Sequence, residues 1–172
     1  MGVFVIRRLL PFLLPFAVFA QTELSHQIEL VKEIMPQATR LGIFYNTKDN
    51  LAASMISRAS QETEMTIVRA PVTSIREMAT GMRLLKKHDV DFFIIFNDRV
   101  TGGPSALKFV VKQTVKNKKP VFTSSENAFK SGVFGKFIKK DANWSIQING
   151  KVQSLFDISI PNNDHYAVIN EG

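Results

Sequence analysis

Asp91-Phe92-Phe93-Ile94-Ile95-Phe96-Asn97 is the stretch on which the reading of this chain turns. Its five consecutive large apolar residues show no polar alternation, the pattern of a strand buried on both faces in the middle of a parallel sheet. The run ends in Asp98, passes Gly102 and Gly103, and reaches Pro104, whose fixed φ suits a first helical position. Beyond it Leu107, Val110, Val111, Thr114 and Val115 recur at spacings of three and four, one stripe of a helix. Strand, polar loop and helix in that order set a loop at the carboxyl end of a sheet, where ligands of open α/β folds sit.

Working outward, the same unit repeats. Toward the N-terminus, residues 25–35 form a helix with Ser25 as cap and Leu24, Ile28, Val31 and Met35 as its stripe, stopped by Pro36. Residues 40–46 form a first strand, followed by a polar loop and a helix carrying Leu51, Met55, Ile56 and Ala59. Residues 66–71 are a less apolar strand, suited to an edge. Ser74 and Glu77 read as a capping box for a helix buried through Ile75, Met78, Ala79, Met82 and Leu85. Toward the C-terminus, 120–124 and 132–138 are strands four and five, separated by a helical turn around 126–129. A long helix is predicted over 141–156 and an extended segment over 165–170. Strands alternating with helices imply right-handed parallel crossovers and a three-layer α/β/α domain with a mostly parallel sheet of about five strands.

Composition sets the outer bounds. A chain of 172 residues with 45% hydrophobic residues supports one domain with a real core. Residues 1–20 stand apart: Arg7 and Arg8 precede an apolar run closing on Val18-Phe19-Ala20, the pattern of a cleaved secretory signal peptide. The run is interrupted by Pro11 and Pro15 and falls short of the roughly 20 apolar residues that span a bilayer, so stable membrane insertion after cleavage is not expected. The mature domain is then 21–172. The chain has no cysteine, hence no disulfide framework and no lipid-bearing thiol after the signal, which points to a free periplasmic protein. Losing Arg7 and Arg8 from 22 basic residues leaves 20 against 15 acidic, a charge of +5 in place of +7. The excess lies in 116–119 and 136–140. A nucleic-acid role wants such clusters interleaved with aromatics and a cytosolic address, and the signal argues against it; lysines at 116–119 suit a solvated helix end.

Catalytic and metal signatures are weak. Gly102-Gly103-Pro104 lacks the spacing of a nucleotide-binding loop. His26, His88 and His165 have no partner at metal-ligand spacing. No serine stands in a nucleophile elbow. The reading is therefore a binding protein, not an enzyme, without cofactor or metal.

Residues 30–38 followed by Arg40-Leu41-Gly42-Ile43-Phe44-Tyr45-Asn46 resemble the segment that opens the second lobe of the periplasmic substrate-binding proteins of ABC transporters, in the type I group that includes tryptophan and tyrosine importers. The similarity continues through 70–74, 91–97 and 119–124 up to Gly135. It implies one Rossmann-like lobe of a type I periplasmic binding protein. Such proteins close two lobes on a small molecule and run to about twice this length; here the signal peptide leads straight into what resembles the second lobe, which implies that the first is missing.

The resemblance maps Tyr45, Asn46 and Thr47, then Asn97 and Asp98, then Ser124, Ser125 and Glu126 onto the cleft-facing edge. Hydroxyls, amides and helix N-termini there suit a carboxylate, and Asp98 or Glu126 suits an amine, so a small polar metabolite such as an amino acid is the implied ligand. The same letters also serve turns and caps: Asn46 and Asp49 can shape a turn, and Ser125 can cap the turn after it with Glu126.

The helix expected over 141–156 carries Trp144, Ile148, Val152 and Leu155 on one stripe, joined by Phe156, and such a stripe must be buried. It either folds back onto this sheet or docks on another chain, a second copy or a separate receptor or lobe. Two functions follow: a solute-binding component that serves an ABC permease, or a single-lobe interaction or sensory module that binds a partner protein.

Overall fold

The computed structural model describes residues 23–170, so the expected signal peptide at 1–20 lies outside the described residues. Among the described residues seven strands form one sheet in the order β2-β1-β3-β4-β5-β6-β7. These are β1 (Arg40–Asn46), β2 (Thr66–Val72), β3 (Phe92–Ile95), β4 (Val121–Thr123), β5 (Gly135–Lys140), β6 (Asn143–Asn149) and β7 (Tyr166–Ile169). β1 to β5 pair in parallel, β5 and β6 antiparallel, and β6 and β7 in parallel again. The helices are α1 (Glu23–Ile34), α2 (Asn50–Glu62), α3 (Met78–Lys87), α4 (Pro104–Thr114) and the short α5 (Gly150–Gln153).

The apolar run of β3 explains the layers. Alternate side chains leave a strand on opposite faces, so Phe92 and Ile94 enter one core with α1 and α2, while Phe93 and Ile95 enter a second with α3 and α4. Both cores are needed to bury the four residues, and all four are buried. β2 occupies a sheet edge, as its weaker apolarity suggests.

Several segments depart from their sequence pattern. No helix spans 141–156. The chain turns at Asp141, in the left-handed region (φ 56°), and returns as β6, with Lys140 opposite Asn143 and Gly135 opposite Ile148. Trp144, Ile146 and Ile148 have a spacing of two as well as the helical one, and hairpin pairing with β5 decides between them. Ile148 is buried in the core of this same sheet, Trp144 packs at its margin under the Lys139 ammonium, Val152 packs partly against it, and Leu155 is exposed. The four residues share no helical stripe, so the basis for a docking helix is lost. The sheet also has seven strands in place of about five.

Smaller corrections have local causes. Ser25 lies inside α1, buried, where its hydroxyl donates to Glu62 Oε2 at 2.5 Å, so it does not cap. Leu51, Ile75 and Ala79 are exposed, leaving Ala52 and Gly81 on the buried stripes. The Ser74 side chain makes no cap bond. Glu77 reaches back one residue further, accepting the Thr73 N–H and hydroxyl, both at 2.7 Å.

Candidate functional site

The chain leaves β1 for β2 on one side and returns through β3 on the other. The carboxyl ends of β1 and β3 therefore flank the topological switch point, where open α/β sheets present a crevice. The sequence-predicted residues sit at the carboxyl ends of β1, β3 and β4, and they divide into two groups.

Asp98, Ser125 and Asn46 hold the loops. Asp98 Oδ2 accepts the Asn46 N–H at 3.1 Å, and Oδ1 accepts those of Val100 and Thr101 at 2.7 and 2.8 Å. The buried Thr101 hydroxyl lies 2.7 Å from Oδ2 and 2.8 Å from the Phe96 carbonyl, bridging the two. This carboxylate is engaged by the chain's own donors, which fix the loop that carries it. Gly102 passes so close to Asn97 that a Cβ there would lie 2.7 Å from Asn97 Oδ1 and 2.8 Å from its Cα. Ser125 is buried; its hydroxyl donates to the Gly102 carbonyl at 2.8 Å and accepts the Asn127 N–H at 3.2 Å. Asn46 Oδ1 accepts the Lys48 N–H at 3.1 Å and shapes the turn into α2, which Asp49 caps through the Ala52 N–H at 3.0 Å.

Tyr45, Thr47, Asn97 and Ser124 make up the second group. Among the described residues their side chains have no hydrogen-bond partner; Thr47 and Asn97 are exposed, Tyr45 and Ser124 half-buried. Glu126 stands apart, in an ion pair with Lys136 at 2.8 Å. Sequence reasoning missed Thr101 and Gly102 as the residues that lock the β3 loop. The Asp98-x-x-Thr101 spacing, suited to a side chain that folds back on its own backbone, was the available signal.

A separate groove of about 740 Å³ opens between α1 and the β5–β6 hairpin, lined by His26, Glu29, Glu33, Trp144 and His165 among others. Behind two of its lining residues, Leu30 and Glu33, the Tyr166 hydroxyl donates toward the Leu30 carbonyl and Glu33 Oε2, both at 2.8 Å. Burial, and then the neighbouring Glu33 carboxylate, push the phenol well above its ordinary value.

Among solved structures the fold is similar to a substrate binding protein with adhesive properties from Clostridium difficile in its ligand-free, open form. That match has a TM-score of 0.67 and 17% identity, over 83% of this chain and 58% of that one. It is also similar to an ABC domain from Streptococcus pneumonia in complex with L-Trp, with a TM-score of 0.65 and 19% identity over 80% and 57% of the two chains. A conserved domain protein from Vibrio cholerae gives a TM-score of 0.67 at 16% identity, over 81% and 57%. The chain thus spans 57–58% of the length of the structures it matches. No curated protein matches it in sequence. Residues 18–137 match the family model described as ABC transporter substrate binding protein, and the chain belongs to that family.

Proposed function

We propose that this chain is an exported solute-binding domain of an ABC-type uptake system, and that it receives a small polar metabolite such as an amino acid at the carboxyl ends of β1, β3 and β4. The observation that carries the reading is the division of labour at the switch point. Loops stitched by Asp98 and Ser125 present Tyr45, Thr47, Asn97 and Ser124, whose polar groups are unspent. Pre-organised loops reduce the ordering cost of binding. Hydroxyl and amide groups of this kind meet a carboxylate or an ammonium without a buried charge of their own. Family membership supports the class, and the L-Trp carried by one similar structure agrees with an amino-acid-sized ligand. The signal-like residues 1–20 and the absence of cysteine support a periplasmic location.

Thermal unfolding of the mature protein against the amino acids and related metabolites tests this. A ligand at about 100 times its Kd adds roughly 2.7 kcal/mol to stability, and Asn97→Ala with Ser124→Ala removes that gain. A flat response across the panel overturns the solute reading. N-terminal sequencing of the exported protein tests the address, with Gln21 as the expected first residue.

A second reading, a module that binds a partner protein, is favoured by one observation. Leu51, 70% exposed in the first turn of α2, and Ile75, 49% exposed just after β2, both follow carboxyl strand ends and rim the same edge with apolar surface. In that case Leu51→Asp with Ile75→Asp abolishes association with the partner lobe or permease and leaves the thermal response to solutes unchanged.

A further inference from the structure

Past β4 the second face of the sheet runs out of helices: among the described residues, the core under α3 and α4 draws no residue from β5, β6 or β7. An antiparallel pair tolerates one solvated face, and here that face is polar and basic. Lys136 and its cross-strand partner Gln147 point the same way, with Asn149 two residues further on. They form the floor of a depression of about 520 Å³. Lys130, from the 3-10 turn Phe129–Ser131, and Lys151, from α5, complete a set of three ammonium groups around it, with Phe129 and Ile169 as apolar walls.

The charges do not balance. Among the described residues Glu126 is the one carboxylate lining the depression. It pairs with Lys136, yet Lys136 has only 14% of its side chain exposed and Glu126 has 87%. A largely buried cation is thus neutralised by a side chain that must give up its freedom in solvent to stay there, an arrangement worth little to stability. An incoming carboxylate can displace Glu126 without uncovering any other group. Lysine ammoniums act as separate point charges with three donors each, which suits an anion whose charges are spread over a short carbon skeleton, and the two apolar walls suit that skeleton.

We propose that this depression, centred on β5 and β6 and adjoining the β4 carboxyl end, binds a small organic di- or tricarboxylate distinct from the solute proposed for the β1, β3 and β4 edge. Isothermal titration of the mature protein with citrate at constant ionic strength tests it, with sulfate as the second arm. Saturable citrate binding is expected, weakened about tenfold or more in Lys136→Gln/Lys151→Gln and held within about twofold in Lys108→Gln/Lys112→Gln, which removes equal charge from α4. Backbone amide shifts at Gln147 and Lys151 in the unaltered protein supply a readout independent of the variants' folding. No heat of binding, equal binding by both double variants, sulfate binding as strong as citrate, or amides at 147 and 151 that stay still would each overturn it.

Discussion

Asp98 Oδ2 accepts the backbone N–H of Asn46 at 3.1 Å, so one side chain joins the carboxyl ends of β1 and β3 at the point where the chain reverses its direction across the sheet. The same carboxylate organises its own loop through Val100 and Thr101. Two strand ends that carry candidate ligand groups are thus held at a set distance by a residue whose carboxylate is engaged by the chain's own donors.

Asp98→Asn keeps the shape but turns an amide N–H₂ toward donors. The variant is expected to lose about 2 kcal/mol in urea unfolding, the cost of stranding part-buried donors that had an ionised acceptor. A loss under about 0.5 kcal/mol would mean that the loop does not depend on this carboxylate.

Phe122 lies fully buried, edge-on to Phe92 and Phe134 and stacked on Phe137 at 5.8 Å. A Cβ on Gly135, its parallel-strand partner, would meet the ring at 2.5 Å. Gly135→Ala is expected to cost about 1–3 kcal/mol by overpacking. Adding Phe122→Leu should relieve part of that cost, so the pair falls short of the sum of the singles; strict additivity would show that the clash is absorbed elsewhere.

Tyr166 ties β7 to α1. Its phenol is raised above the ordinary value of 10.0 by burial and by Glu33. A raised pKa in the folded state means its contribution is complete below about pH 10 and is lost as pH climbs through the folded-state value. Stability measured from pH 8 upward should therefore fall more steeply in the unaltered protein than in Tyr166→Phe, which starts about 1 kcal/mol lower. Parallel curves would contradict the coupling.

Glu77 is held below its ordinary carboxylate value by the Thr73 hydroxyl and then the Thr73 N–H. The lowered value means that its contribution is present above the unfolded-state pKa and is lost as pH falls through the folded-state one. Carboxyl chemical shifts should show Glu77 titrating below ordinary glutamates, and Thr73→Ala should move it back; no movement would assign the shift to another cause.

The β3 segment was legible because five unbroken apolar residues ending in a polar loop and Pro104 fit a doubly covered strand followed by a helix, and the structure buries Phe92 through Ile95 accordingly. Residues 141–156 were not legible. Trp144 and Ile148 fit a helical stripe, Trp144, Ile146 and Ile148 fit a strand, and a two-residue turn without glycine gave no hairpin signal. At the site, Asp98 and Ser125 have the letters of ligand groups; Val100, Thr101 and Asn127 engage them from their own loops, and Asn46 and Gly102 engage them from other loops.

Local periodicity, with its proline and polar breaks, is enough to specify the parallel β/α alternation from 40 to 123, the strand at its centre and the edge on which its loops gather. Long-range pairing makes 143–149 a strand, turns Asp98 and Ser125 to the service of the loops, and among the described residues leaves a basic face of β5 to β7 uncovered. Those outcomes depend on which strand pairs with which and on which distant backbone groups compete for a side chain, and neither is encoded in the spacing of neighbouring residues.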